Sequence, residues 1–167
     1  MTGPLTTTLC FIRHGQTDWN LSGLLQGQTD IPLNERGRGQ ARQSALLLKG
    51  ARLDVILSSP LTRALQTARE VADALDPSLP VLAEDGLKER CFGRLEGSVI
   101  NAELRNSLWD ARDPLNAPGV GTLETLDAFC ARVNACLDRV LAAYAGKAVL
   151  LVAHGGVAVP LRMRLEG

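Results

Sequence analysis

The chain is 167 residues long, 46% apolar and 22% charged, and its 18 basic and 18 acidic side chains cancel to a formal net charge of zero. Such a chain can bury well over half of its unfolded surface in one compact unit and is unlike disordered or fibrous sequences, so a single domain over residues 1–167 is expected. Zero net charge excludes a global field that would draw the protein to nucleic acid or an anionic membrane, and any affinity for phosphate has to be local.

Met1 to Thr8 lacks the basic stretch and long apolar core of a signal peptide, and no apolar run approaches membrane-spanning length. Leu9 to Ile12 is a short apolar run suited to a buried parallel strand, and it ends at Arg13-His14-Gly15. Asn34 is placed to cap a helix over Glu35 to Lys49, which Gly50 stops. Val55 to Leu57 is a second strand, followed by Ser58-Ser59-Pro60 and a helix over Leu61 to Leu75. Pro77 and Pro80 break that helix, and Pro80-Val81-Leu82 is a weaker third strand.

A mixed polar stretch, Leu87 to Gly97, precedes a helix over Asn101 to Ala111, and Asp113 to Gly121 is a loop by composition. From Thr125 to Tyr144 the residues Leu126, Phe129, Val133, Leu137, Val140 and Leu141 recur at helical spacing. The last strand, Val149 to Ala153, ends at His154-Gly155-Gly156. Strands alternating with helices predict a three-layer α/β/α fold with a mostly parallel central sheet. The four cysteines, Cys10, Cys91, Cys130 and Cys136, form no CxxC pair and read as free thiols, which with the absence of a leader makes a cytoplasmic location the expectation.

In an open α/β sheet, ligands sit beyond the carboxyl ends of the strands. Both histidines of the chain and two arginines fall at such ends: Arg13 and His14, Arg63, and His154. Each alone is an ordinary turn residue or surface charge; their convergence is what carries meaning. A neutral imidazole is a nucleophile near pH 7, guanidinium forks match the spread charge of a transferring phosphoryl group, and a second histidine, if protonated, adds another donor. His14 is the candidate nucleophile, with Arg13, Arg63 and His154 as phosphoryl holders. A departing alkoxide needs a proton, and Glu89 in the polar stretch is the nominee for that acid.

Five ordered blocks resemble the histidine phosphatase superfamily, also called the phosphoglycerate mutase-like family. They are Arg13-His14-Gly15-Gln16-Thr17 with Asn20; Gln26-Gly27 through Gly37; Ser58-Ser59-Pro60-Leu61-Thr62-Arg63 through Ala68; Glu89-Arg90-Cys91-Phe92-Gly93; and His154-Gly155-Gly156. The resemblance implies a phosphohistidine formed on His14 and a proton donor, later water-activating base, at Glu89. It places Arg13, Arg63 and His154 around the phosphoryl group with help from Asn20, Gln26 and the Gly27 backbone. Thr17, Arg90 and Gly155 join them as candidate phosphate contacts, a surface charge being the alternative reading for Arg90. The family needs no metal, no cofactor is expected for this chain, and the implied partner is a small phosphorylated substrate.

Within that resemblance hydrolysis is favoured over mutase-type phosphotransfer. Phe92 stands where the mutases carry tyrosine, Gly156-Val157 replaces their Asn-Ser, and Arg105 and Arg112 are isolated where mutases have a paired-arginine clamp. The alternatives kept open are a phosphoglycerate mutase-type phosphotransferase and a catalytically silent homologue that binds a phosphorylated ligand. Relatives continue through a further helix and a last strand, so Val157 to Leu165 is expected to start that helix; the expectation is either a truncated chain or a sheet edge covered by a partner, a homodimer for one.

Overall fold

Four short strands, β1 (Thr8–Arg13), β2 (Val55–Ser58), β3 (Val81–Ala83) and β4 (Ala148–Ala153), pair in parallel in the order β1-β4-β2-β3 in the computed structural model, which describes residues 6–110, 112–113, 115 and 122–166. β4 lies inside the sheet with both faces covered, and for that reason its sequence is a continuous apolar run rather than an alternating one. Leu150 and Val152 point to one face and pack with Ile56 of β2, while Val149, Leu151 and Ala153 point to the other with Val55 and Leu57.

Helices cover both faces, giving the three expected layers. On the first face, α2 (Glu35–Leu47) contributes Ala45, and α3 (Thr62–Leu75) lays down Ala64, Ala68, Val71 and Ala72 at helical spacing. On the second, α5 (Leu126–Ala143) buries Phe129, Val133, Cys136, Leu137 and Val140, and α6 (Ala158–Glu166) adds Leu161. Each large side chain so buried contributes roughly 1.5–3 kcal/mol. A third cluster of Leu25, Phe92 and Leu108 sits apart from the sheet, packed against Ile100, Leu104 and Trp109 around α4 (Ala102–Trp109). It also includes Leu95 from a short 3-10 turn.

Local signals placed the helix starts well. Asn34 and Asn101 accept the amide hydrogens of Gly37 and Leu104, and Thr125 does the same for Ala128. The ends differ by a residue or two: α2 stops at Leu47 with Leu48 as its cap, and Gly50 takes the left-handed turn at φ 86° just beyond. A four-residue helix, α1 (Asp18–Leu21), was too short to show a period. The end of the helix expected to reach Ala111, and most of the Asp113 to Gly121 loop, lie outside the described residues. Among the described residues no helix is long and apolar enough to cross a membrane.

The register of the sheet is what assembles a site. Arg13 pairs with Ala153, and Ser58 with Val152, so three strands end level with one another. The ladder continues one residue further: His14 N–H donates to Ala153 O at 2.9 Å and Ser59 N–H to Val152 O at 2.9 Å.

Candidate active site

The two histidines, 140 positions apart in sequence, meet with ring centroids 5.1 Å apart and planes tilted by 58°. His14 Nδ1 lies 2.7 Å from the carbonyl of Gly15, which can only accept, so Nδ1 carries the proton and Nε2 keeps its lone pair. Burial and the neighbouring Arg63 push the His14 pKa down to about 3, so the ring is neutral at physiological pH. His154 is fully buried; its Nε2 lies 2.7 Å from Ser59 Oγ, and its Nδ1 is buried with no protein partner. Burial, then Arg63, His14 and Arg13, hold its pKa well below the usual histidine range. A protonated His154 is therefore not the resting state that the sequence reading entertained.

Arg63 is 1% exposed, although it opens α3 where an arginine is usually solvated. Its Nη1 donates to Thr29 O at 2.9 Å and its Nη2 to Gly27 O at 2.6 Å, which fixes the fork and leaves Nε buried without a partner. A buried donor left unpaired costs about 1–3 kcal/mol, so this N–H and the His154 Nδ1 are open hydrogen-bonding positions in a site otherwise satisfied. Arg13 is exposed and carries no hydrogen bond or ion pair among the described residues; its guanidinium lies over Gly155, about 3.6 Å from where a Cβ would stand.

Glu89 closes the arrangement. Its Oε2 accepts from Gly156 N–H at 3.0 Å, tying the acid to the residues just after His154, and its Oε1 accepts from Arg90 N–H at 2.9 Å. Burial pushes its pKa up, against the pull of those two amides and of Arg63 and Arg13. Two clefts of about 420 and 450 Å³ open here and share Arg13, Ile100 and Arg105. One contains His14, Gly15 and Asn20; the other has Glu89, Gly155 and Gly156 on one side and Leu25, Phe92, Leu108 and Trp109 on the other.

The remaining sequence candidates separate into two groups. Asn20 lines the first cleft, with its Oδ1 used by the Thr17 amide. Gln26 is buried and its Oε1 sits 3.0 Å from Thr17 Oγ1, while Gly27, at φ 52°, presents its carbonyl to Arg63 and has Glu96 where a side chain would go. Thr17 and Arg90 lie behind the clefts. Thr17 is fully buried as the cap of α1 and reaches neither cleft. Arg90 is not a surface charge: it is fully buried, donates through Nε to Glu124 O at 2.7 Å and through Nη1 to Leu108 O, packs over the rings of Phe92 and Trp109, and lines neither cleft.

Several supporting residues went unassigned in the sequence. Ser59 orients His154, and Thr67 accepts from Gly15 N–H at 3.0 Å while donating to Arg63 O at 2.8 Å. Asp30 caps α3 from a distance by accepting from Thr62 N–H and Oγ1–H at 2.7 and 2.6 Å. Glu96 accepts from the amides of Gln28, Thr29 and Phe92. Most of their partners are remote in sequence, at separations of 32 to 95 positions, so no local pattern announces them.

The strand ends of a parallel α/β sheet thus gather two neutral histidines, two arginines and a buried carboxyl where ligands of such sheets bind. The chain belongs to the histidine phosphatase superfamily (branch 1), whose family model matches residues 9–167. It is 38% identical over 161 residues to a Bacillus subtilis protein named "Uncharacterized phosphatase PhoE", an alignment covering 96% of this chain and 78% of that one. It is also 33% identical, over 95% of its length and 75% of the relative, to 2,3-bisphosphoglycerate-dependent phosphoglycerate mutase 2 of Gloeobacter violaceus. Among solved structures it is similar to Bacillus stearothermophilus YhfR, with a TM-score of 0.81, 28% identity, and coverage of 96% of this chain and 80% of the other.

Proposed function

We propose that the protein is a metal-independent phosphomonoester hydrolase that works through a phosphohistidine on His14. The observation that carries this reading is the state of His14: Nδ1–H is engaged by Gly15 O, the ring is held neutral, and Nε2 is free beside unpaired donors on Arg13 and Arg63 and the unpartnered Nδ1 of His154. In the first step Nε2 attacks phosphorus while the bond to the ester oxygen breaks. Arg13 and the Arg63 Nε–H meet the equatorial oxygens, and the dianion between them reverses the local field that keeps His154 neutral, so His154 becomes a further donor. Glu89, whose hold on a proton burial strengthens, gives its proton to the departing oxygen. The resulting carboxylate then takes a proton from the water that hydrolyses the phosphohistidine, which restores both groups.

Hydrolysis rather than transfer to a bound acid is supported by the cleft beyond Glu89. Its walls are mainly the apolar Leu25, Phe92, Ile100, Leu108, Trp109 and Val159, with Arg105 as the one cation besides Arg13 among the residues lining it. A mutase has to clamp a charged acceptor and exclude water, and a largely apolar, open cleft suits neither task. The test is phosphate release from an aryl phosphate with EDTA present, for the parent chain and His14→Ala, together with trapping of the phosphoenzyme by an alkaline detergent quench. Chelator-resistant turnover with an acid-labile, base-stable phosphoenzyme that vanishes in His14→Ala is the expected result. Unchanged turnover in His14→Ala overturns the reading.

A further inference from the structure

The loop that carries Glu89 runs from the 3-10 turn Asp85–Leu87 to the one at Gly93–Leu95 and belongs to no strand. Its carbonyls have no ladder to enter: Gln28 Nε2 donates to Glu89 O at 2.9 Å, and one side chain on the far helix reaches three of them. Arg132 of α5 donates Nη1 hydrogens to Gly86 O and Lys88 O at 3.0 and 3.1 Å, and an Nη2 hydrogen to Glu89 O at 3.3 Å. Its Nε and second Nη2 hydrogen go to Glu124 Oε1 and Oε2 at 2.9 and 2.8 Å. All five N–H donors of a guanidinium are thereby used.

Glu124 extends the clamp. Its Oε2 also accepts from Cys91 N–H at 3.2 Å, and its own main chain donates to Cys91 O and accepts from Arg90 Nε. The pair is partly buried, at 27% and 17% side-chain exposure, and Arg132 also lies over the Phe129 ring, 5.2 Å from its centroid. The result is a rigid plate spanning residues 86–91, with the Glu89 side chain projecting from its other side toward Gly156 and Arg13.

We infer that Arg132, locked by Glu124, is a positioning residue that aims the Glu89 carboxyl at the leaving-group oxygen. The inference rests on the proton-donor role of Glu89 proposed above. In the step concerned, the His14 Nε2–P bond forms, the P–O ester bond breaks, and the Glu89 proton moves to the released oxygen, leaving a carboxylate. Misaiming that proton slows only substrates whose leaving group needs it. Arg132 touches no substrate; a role confined to stability would depress all substrates alike.

The experiment measures kcat/KM for phenyl phosphate, a poor leaving group, and for 2,4-dinitrophenyl phosphate, which departs without a proton. The proteins are the parent, Arg132→Lys, Glu124→Gln and, as reference, Glu89→Gln. A lysine keeps the charge but has three donors in place of the planar five. Arg132→Lys is expected to lose about 10- to 100-fold on phenyl phosphate and less than about 3-fold on the dinitrophenyl ester, a fraction of the loss in the reference. Glu124→Gln moves the same way by less, and carries the comparison if Arg132→Lys does not fold. A parallel fall on both substrates, or no fall, in both clamp variants overturns the inference while a steep response in Glu89→Gln leaves the proposed function standing. A flat response in Glu89→Gln removes the proton-donor reading and this inference with it.

Discussion

The two halves of the site are held by different means. The histidine half grows out of the sheet: His14 and Ser59 extend the ladder by backbone hydrogen bonds, and register alone brings His14 beside His154. The acid half has no ladder and depends on side chains: Arg132, Gln28, Glu124 and Glu96 are bonded to its main chain, and its own Arg90 is bonded to the main chain of Leu108 and Glu124. A parallel sheet positions a nucleophile at no extra cost, whereas a loop can reach the same precision only if buried charged groups supply the hydrogen bonds that a neighbouring strand would have made.

The comparison breaks most sharply at the proposed nucleophile. His14→Ala is expected to lower kcat on the order of 10⁴-fold or more for every leaving group, measured by steady-state phosphate release, because no other group replaces Nε2. Glu89→Gln should cost about 10² to 10⁴-fold, confined to poor leaving groups, so plots of log kcat/KM against leaving-group acidity separate the two halves.

Stability against pH separates them in sign. The histidines have folded pKa values below the unfolded value near 6.5, with that of His14 about 3, so the unfolded chain binds more protons below that pH and stability falls on acidification. The slope amounts to at most about 1.4 kcal/mol per pH unit for each histidine. Glu89 acts oppositely: with its folded pKa raised, it contributes stability at low pH that is lost as pH rises through that value. Urea midpoints over a pH series should therefore fall less steeply below pH 6.5 in His14→Ala and more steeply toward low pH in Glu89→Gln.

A smaller effect tests how tightly the histidine half is seated. A Cβ on Gly37 would stand 2.1 Å from Gln16 O, two residues after His14, so Gly37→Ala has to move main chain and should destabilise by about 1–3 kcal/mol with a loss of activity. At Gly39, one turn position further along α2, nothing lies within 4 Å, and Gly39→Ala should stabilise by about 0.5–1 kcal/mol with activity unchanged. Chemical denaturation of the two variants reads the difference.

What the sequence determined by itself was whatever repeats or is marked locally. Apolar runs such as Val149 to Ala153 announced strands buried on both faces, the 3.6-residue spacing of α5 announced its core stripe, and Asn34 announced the start of α2. Because strand ends in a parallel sheet converge by construction, Arg13, His14, Arg63 and His154 could be grouped before any coordinates. Tertiary structure decided what depends on enclosure and on partners far along the chain. It made Arg90 a buried brace, it made Thr17 a helix cap, and it gave the Glu89 loop to Arg132, 43 positions away. It also decided the charge of both histidines, since burial beside Arg63 sets their proton affinity and no residue string encodes burial. Periodicity is written along the chain, whereas the hydrogen bonds of an irregular loop are made wherever folding delivers a free donor.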